Sequence, residues 1–287
     1  MKSQDLDHIQ RACAFNQKPQ LLRALSGGDI NEVSLFTADD KLWVVKKNDL
    51  HGLPQMLAKE ARSLEYLNTH SPVKYPSVLK QFESEKHQYL IMEYVEPSDS
   101  SPEAQSNLGK GLARQHCISN DSYGWPESNY IGSLIQRNEK SKNWAQFYAE
   151  QRLLPLIERA FNHQLVNVKM IGKMEAYCSR LDQLFPREKP ALLHGDLWGG
   201  NYFITKDEQP FLYDPAVYFG HREMDIAMTR LFGGFSQLFY DAYQAEYSLE
   251  KGWEKRIPHA QLYPNLVHLN LFGVAYLSPI SEVIDSF

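Results

Sequence analysis

Apolar residues recur along this chain in two rhythms, and the change from one to the other falls near residue 95. Ahead of it, short apolar runs at 21–25, 33–37, 42–46, 78–82 and 89–94 are bounded by polar clusters, which is the strand signal, while 54–67 carries apolar positions at helical spacing. Ala38-Asp39-Asp40 supplies turn residues for a hairpin between the second and third runs. Beyond it, Ser101-Pro102 gives an N-cap followed by proline at the first helical position. The stretches 102–118, 143–163, 167–184, 223–232, 237–249 and 260–277 then repeat apolar residues mostly at helical spacing. A hairpin is expected where Tyr202-Phe203-Ile204 and Phe211-Leu212-Tyr213 are joined by Lys206-Asp207-Glu208-Gln209. The pattern predicts an α+β molecule: a small antiparallel sheet with one helix inserted after its third strand over 1–95, then a larger, mainly helical region over 96–287. Pro97-Ser98-Asp99-Ser100-Ser101 is too short to link independent domains, and the chain carries no internal repeat or low-complexity tract.

Composition narrows the setting. The 287 residues can hold one large or two modest domains, and 43% apolar with 12% aromatic content suffices for a core. With 30 basic against 35 acidic residues and a formal charge of −5, net charge gives a nucleic-acid partner no support. The first fifteen residues lack an apolar signal core, and no run approaches the roughly 18 apolar residues of a membrane span. A soluble, cytoplasmic protein with no membrane partner is expected. Cys13, Cys117 and Cys178 are odd in number and far apart, which favours reduced thiols over a disulfide framework or a zinc site.

Chemistry concentrates in His194-Gly195-Asp196-Leu197-Trp198-Gly199-Gly200-Asn201, followed by Asp214-Pro215-Ala216. Phosphoryl transfer needs one carboxylate to orient the attacking hydroxyl, and an amide plus a second carboxylate to hold magnesium on the nucleotide phosphates. Asp196 fits the first role, and Asn201 and Asp214 fit the others. H-x-D-x-x-x-x-N is the spacing of a kinase catalytic loop, and the expected hairpin would bring Asn201 back beside Asp214. The plain alternative is a polar loop ahead of a strand, with Asp196 and Asn201 as turn residues.

Upstream residues add matching parts. Gly27 and Gly28 lie between the first two strands, where backbone amides can approach phosphates without Cβ interference, or where a plain tight turn is made. Lys46 ends the run Trp43-Val44-Val45 at the inner edge of the third strand, and Glu60 lies fourteen residues on, in the inserted helix. A lysine clamped by that glutamate would hold the α- and β-phosphates; alternatively, Lys46 is a solvated strand end and Glu60 a surface residue. Trp198, two residues after Asp196 between it and two glycines, is placed to stack on a sugar ring or amine, with core packing as the other role open to it. Trp125 is a candidate to buttress the same face. Tyr218, His221 and Arg222 could face substrate or pack the loop, His194 reads as structural, and Asp225 reads as an acceptor for loop amides.

Taken together, these segments resemble the fructosamine (ketosamine) kinase family. The resemblance rests on Lys46, Tyr123-Gly124-Trp125-Pro126 with Asn129-Tyr130-Ile131-Gly132, Trp144 with Phe147-Tyr148, the 194–201 run, and Asp214 through Gly220-His221-Arg222-Glu223-Met224-Asp225. That family belongs to the aminoglycoside-phosphotransferase-like branch of the protein-kinase-like fold, so the resemblance implies a bilobal kinase plan. It implies Asp196 as base, Asn201 and Asp214 as metal ligands, Lys46 and Glu60 at the phosphates, and an adenine-binding hinge at Met92-Glu93-Tyr94-Val95. ATP and Mg2+ are the implied cofactors. The implied reaction is phosphorylation of the 3-hydroxyl of ketosamines, free or on glycated proteins, which yields an unstable adduct and frees the amine.

Two departures qualify this. Ser26-Gly27-Gly28-Asp29-Ile30-Asn31 has none of the cysteine some members use for redox dimerisation, so that regulation is not carried over; a monomer is expected. Asp214-Pro215-Ala216 replaces the D-F-G of protein kinases and no A-P-E segment follows, favouring a kinase of small molecules. The rival readings are a kinase of another small alcohol, such as an aminoglycoside, choline or a sugar, and a non-catalytic nucleotide-binding pseudokinase.

Overall fold

The computed structural model of the protein describes residues 1–25 and 30–286, so the expected phosphate-loop glycines Gly27 and Gly28 lie outside the described residues. The chain forms two compact units, one of 1–104 with 202–215 and one of 105–201 with 216–287. The first unit therefore runs past the expected cut between 95 and 96 to residue 104, and the 202–215 segment groups with it.

In the first unit, helix α1 (Ser3–Cys13) is followed by strands β1 (Gln20–Ala24), β2 (Glu32–Ala38) and β3 (Lys41–Asp49), helix α2 (Met56–His70), and strands β4 (Val78–Glu83) and β5 (His87–Glu93). The five strands form one antiparallel sheet in the order β1-β2-β3-β5-β4, so β3 is central. All five lie within a few residues of the expected runs, as does α2. Asp39 and Asp40 both adopt positive φ, which suits the tight hairpin joining β2 to β3.

Strand alternation in β3 sends successive lysines to opposite faces. Trp43 and Val45 join Ile9, Phe36, Tyr89 and Ile91 in an apolar cluster beneath α1. On that same face the Lys47 ammonium donates to Asp5 of α1 at 2.9 Å. Lys46 faces the other way, where α2 packs on β4 and β5 through Leu57, Ala61, Leu64 and Leu67. The α2 N-terminus is held from the sheet: buried Gln88 of β5 accepts from the Leu57 amide at 2.8 Å and donates to the Leu53 carbonyl at 2.6 Å. The expected hairpin is present, with Tyr202–Ile204 paired to Pro210–Leu212. It is anchored by the Ser98 amide on Ile204 and the Leu212 amide on Lys74.

The second unit is mainly helical. Helix α3 (Pro102–His116) starts where expected, and the Ser101 hydroxyl caps it by accepting from the Ala104 amide at 3.0 Å. The expected helix over 143–163 is split into Trp144–Tyr148 and Leu154–Asn162 by a π-helical turn at Ala149–Leu153. Pro155, which brings no amide hydrogen and crowds the carbonyl four residues back, accounts for the break. Trp144, Phe147 and Tyr148 form an aromatic core with Phe185 and Tyr218. Among the described residues, no helix is long and apolar enough to cross a membrane.

Candidate active site

Lys46 sits in the central strand of the first unit, paired across the sheet with Val33 and Leu90, and is only 4% exposed. Its ammonium contacts Glu60 of α2 and Asp214, each at 2.5 Å. Burial alone would lower the lysine pKa, but the charges of Asp214 and Glu60 outweigh it and hold the ammonium above its ordinary value. Lys46 is thus a charged group inside the fold and not a solvated strand end, which resolves the alternative left open by sequence. Asp214 follows the hairpin with φ at +55°, an unusual backbone for a residue other than glycine, and its carboxylate remains partly exposed. Glu93 and Tyr94, expected in the hinge, use their own amides on the carbonyls of Ser77 and Leu42. Val95 follows them directly.

The catalytic-loop candidate lies in the second unit, after the short strand Ala191–Leu193 that pairs with Tyr218–Gly220. Buried Asp225 accepts the amides of His194 at 2.7 Å and Gly195 at 2.9 Å. It is itself held by His116, whose ring reaches Asp225 at 3.2 Å and the Tyr243 hydroxyl at 2.8 Å. Burial pushes the Asp225 pKa up, yet these hydrogen bonds and the neighbouring imidazoles leave it below its usual value. Gly195 has φ of +85°, and a Cβ there would fall 2.1 Å from the Ala216 carbonyl oxygen, so glycine is required. His194 is fully buried and its Nδ1 accepts the Asp196 amide at 3.2 Å, a structural role as expected.

Asn201 fixes the proposed base. Its Nδ2 donates to the Asp196 carbonyl at 2.8 Å and to Asp196 Oδ2 at 3.1 Å. Trp198 is 39% exposed, and its ring covers Gly200 so closely that a Cβ there would come within 2.2 Å of it. Gly199 meets Gly234 backbone to backbone in the same way. A small cavity beside Asp196 is lined by Tyr218, Met224, Met228, Tyr263 and His268.

The other expected substrate residues lie deeper. Trp125 is buried and stacked on Phe219, with ring centroids 5.8 Å apart. Tyr218 is buried against Phe147 and under the Arg152 guanidinium, and its hydroxyl pKa is pushed up to about 12, chiefly by burial. His221 is fully buried: Nε2 faces the Pro186 carbonyl, Nδ1 accepts the Glu223 amide, and burial lowers its pKa. Arg222 is buried too, in a two-pronged pair with Glu188. Sequence reasoning missed His116, Tyr263 and His268. Nothing local marks His116, which meets Asp225 across 109 residues. His268 and Phe272, however, share one helical face at four-residue spacing within Leu262–Phe272.

The comparisons with known proteins agree with this geometry. The sequence model of fructosamine kinases matches residues 1–287. The chain is 36% identical over 265 residues to an Enterococcus faecium protein named a probable ketoamine kinase, covering 91% of this chain and 93% of that one. It is 35% identical over 269 residues to the chloroplastic protein-ribulosamine 3-kinase of Arabidopsis thaliana, covering 92% and 81%. A crystal structure from Thermobifida fusca, provisionally named a fructosamine-3-kinase, superposes with a TM-score of 0.87 at 31% identity, over 100% of this chain and 99% of that one. With the family model matched over residues 1–287 and relatives of 35–36% identity covered over most of their length, this chain belongs to the fructosamine kinase family.

Proposed function

We propose that this protein is an ATP-dependent ketosamine kinase that phosphorylates the sugar 3-hydroxyl of ribulosamine or fructosamine adducts of amines, with deglycation as the outcome. The observation that carries the reading is the buried Lys46 ammonium held between Glu60 and Asp214 in a chain of this family. A charge kept inside a fold costs desolvation, and nucleotide phosphates are the ligand that makes use of it.

Magnesium fits the residues present. Two carboxylates share the Lys46 ammonium; burial pushes the Glu60 pKa up, while Asp214 is the more exposed member and the one placed to take a cation. The Asp214 carboxylate and the Asn201 amide oxygen are each the kind of hard donor that suits an ion usually held by one or two protein oxygens, waters and substrate phosphates. When bound, the ion would offset charge on the phosphate oxygens. Lys46 then neutralises the α- and β-phosphates while Glu60 fixes its position. Asp196 orients the sugar hydroxyl and takes its proton, with Asn201 holding its Oδ2. With the Glu93 and Tyr94 amides engaged in backbone pairing, the amide offered to adenine is that of Val95. Gly27 and Gly28 would approach the phosphates. Trp198 stacks on the sugar or its amine, and Tyr218 lines the cavity beside Asp196, while Trp125 and His221 lie in the core. The same reading takes the protein as a cytoplasmic monomer.

The test is turnover with magnesium and ATP across ribulosamine and fructosamine adducts, aminoglycosides and choline. We expect a ketosamine 3-phosphate, formed with kcat/KM at least about tenfold above the other classes, a difference of roughly 1.4 kcal/mol. Faster phosphorylation of an aminoglycoside or choline would move the protein to another small-alcohol kinase. No turnover of any acceptor would make it a non-catalytic binder.

A further inference from the structure

Trp198 begins a row of rings. It meets Phe232 edge-on at 6.1 Å, Phe232 meets His268 at 5.0 Å, and His268 meets Phe272 at 5.4 Å and Tyr276 at 5.0 Å. Three separate segments of the second unit supply it: the catalytic loop, the end of helix Glu223–Leu231, and helix Leu262–Phe272 with the turn that follows. The row is open to solvent, with Phe232 45%, Phe272 56% and neighbouring Val274 62% exposed. Apolar side chains on a surface usually scatter singly, and a contiguous run marks a binding region.

His268 joins this row to the reaction centre, because the same ring lines the cavity beside Asp196. Its Nδ1–H donates to the Pro264 carbonyl at 2.7 Å, and burial lowers its pKa, so the ring is a neutral imidazole held in one orientation. In a ketosamine, four bonds separate the 3-hydroxyl oxygen from the amine nitrogen. A sugar whose hydroxyl is at Asp196 therefore carries its amine within reach of His268, the member of the row that lines the cavity.

Resting on the ketosamine-kinase reading, we infer that the Trp198–Phe232–His268–Phe272–Tyr276 row is the subsite for the amine portion of the substrate, selecting small amines with a flat apolar ring over glycated proteins. A secondary ammonium is attracted to ring faces, and an aromatic substituent gains edge and offset contacts along them. A glycated lysine on a protein would instead press polar backbone and charged neighbours against exposed apolar rings, leaving polar groups without partners.

The test compares kcat/KM for benzylamine, methylamine and lysyl-peptide adducts, in both the ribulosamine and fructosamine series, for wild type, Phe272→Ala and Tyr276→Ala. Wild type should prefer the benzylamine adduct over the methylamine adduct by roughly tenfold, the size of one or two ring–ring contacts. The peptide adduct should fall below benzylamine. In each variant the benzylamine-to-methylamine ratio should drop to about twofold or less, and because it is a ratio it is insensitive to the fraction of folded enzyme. A wild-type ratio near one, a ratio unchanged in both variants, or a peptide adduct that outperforms benzylamine would overturn the inference while leaving the kinase reading intact. Failure to phosphorylate even the methylamine adducts would remove the ketosamine reading and this inference together.

Discussion

The two units arrange their polar groups in opposite ways. Around Lys46 in the first, two carboxylates close on one buried ammonium at 2.5 Å, and the group is held by charge. Around Asp196 in the second, one carboxylate is positioned by an amide side chain, a histidine-held backbone turn and a rim of aromatic rings. The ligands proposed for each account for the contrast. A triphosphate is a polyanion and calls for fixed charge, whereas a sugar hydroxyl is neutral and is selected by orientation and shape.

The largest expected effect breaks the second arrangement. Asp196→Asn keeps the shape of the side chain but removes its charge, so kcat should fall by at least about 10²-fold, with ATP affinity nearly unchanged. Steady-state kinetics showing near-wild-type turnover would exclude Asp196 as the base. Next, Lys46→Met removes the cation from the first arrangement and leaves Glu60 and Asp214 facing each other. Stability should drop by about 2–3 kcal/mol, read from urea midpoints, and Asp214→Asn in the same chain should restore part of it. A Lys46→Met protein as stable as wild type would show that the pair is not held by charge.

Smaller effects sharpen the comparison. Trp198→Ala should lower ketosamine kcat/KM by roughly 0.5–2 kcal/mol. A loss confined to kcat would place the contact in the transition state, and a rise in KM alone would place it in ground-state binding. The smallest effect concerns the far face of the sheet. Asp5 is buried, and although burial raises its pKa, the Tyr89 hydroxyl, the Lys2 amide and Lys47 bring it from 3.8 down to about 2. A depressed folded pKa gives stability that is present above the unfolded value and lost as pH falls through the folded one. Asp5→Asn should therefore cost on the order of 1 kcal/mol near neutrality, a difference from wild type that shrinks between pH 3.8 and about 2. A gap in urea midpoints that persists at pH 2 would rule out the ionised Asp5 as its source.

The charged half was the more readable in sequence. Strand runs, the inserted helix and the spacing of Lys46, Glu60, Asp196, Asn201 and Asp214 carry fixed chemical signals, and the structure brings Lys46, Glu60 and Asp214 together in one unit. It likewise brings Asp196 and Asn201 together in the other. Aromatic residues were harder to place, because burial and ligand stacking favour the same side chains. Trp125, Tyr218 and His221 turned out to lie in the core, while Trp198 alone of that group is well exposed. Helix α1 escaped notice because its short sequence is mostly polar, with Leu6 and Ile9 among its few apolar contacts to the sheet. The grouping of 202–215 with the first unit is set by Ser98 and Lys74, whose pairings with the hairpin are long-range and leave no local pattern.

The division of labour is tested most directly by calorimetry of magnesium–ATP binding to wild type, Asp214→Ala and Trp198→Ala, measured side by side. Asp214→Ala should bind the nucleotide at least about tenfold more weakly, and only when magnesium is present, while Trp198→Ala should bind as wild type does. Equal affinity for wild type and Asp214→Ala, or a matching loss in Trp198→Ala, would contradict the assignment of phosphate to the charged unit and acceptor to the aromatic one.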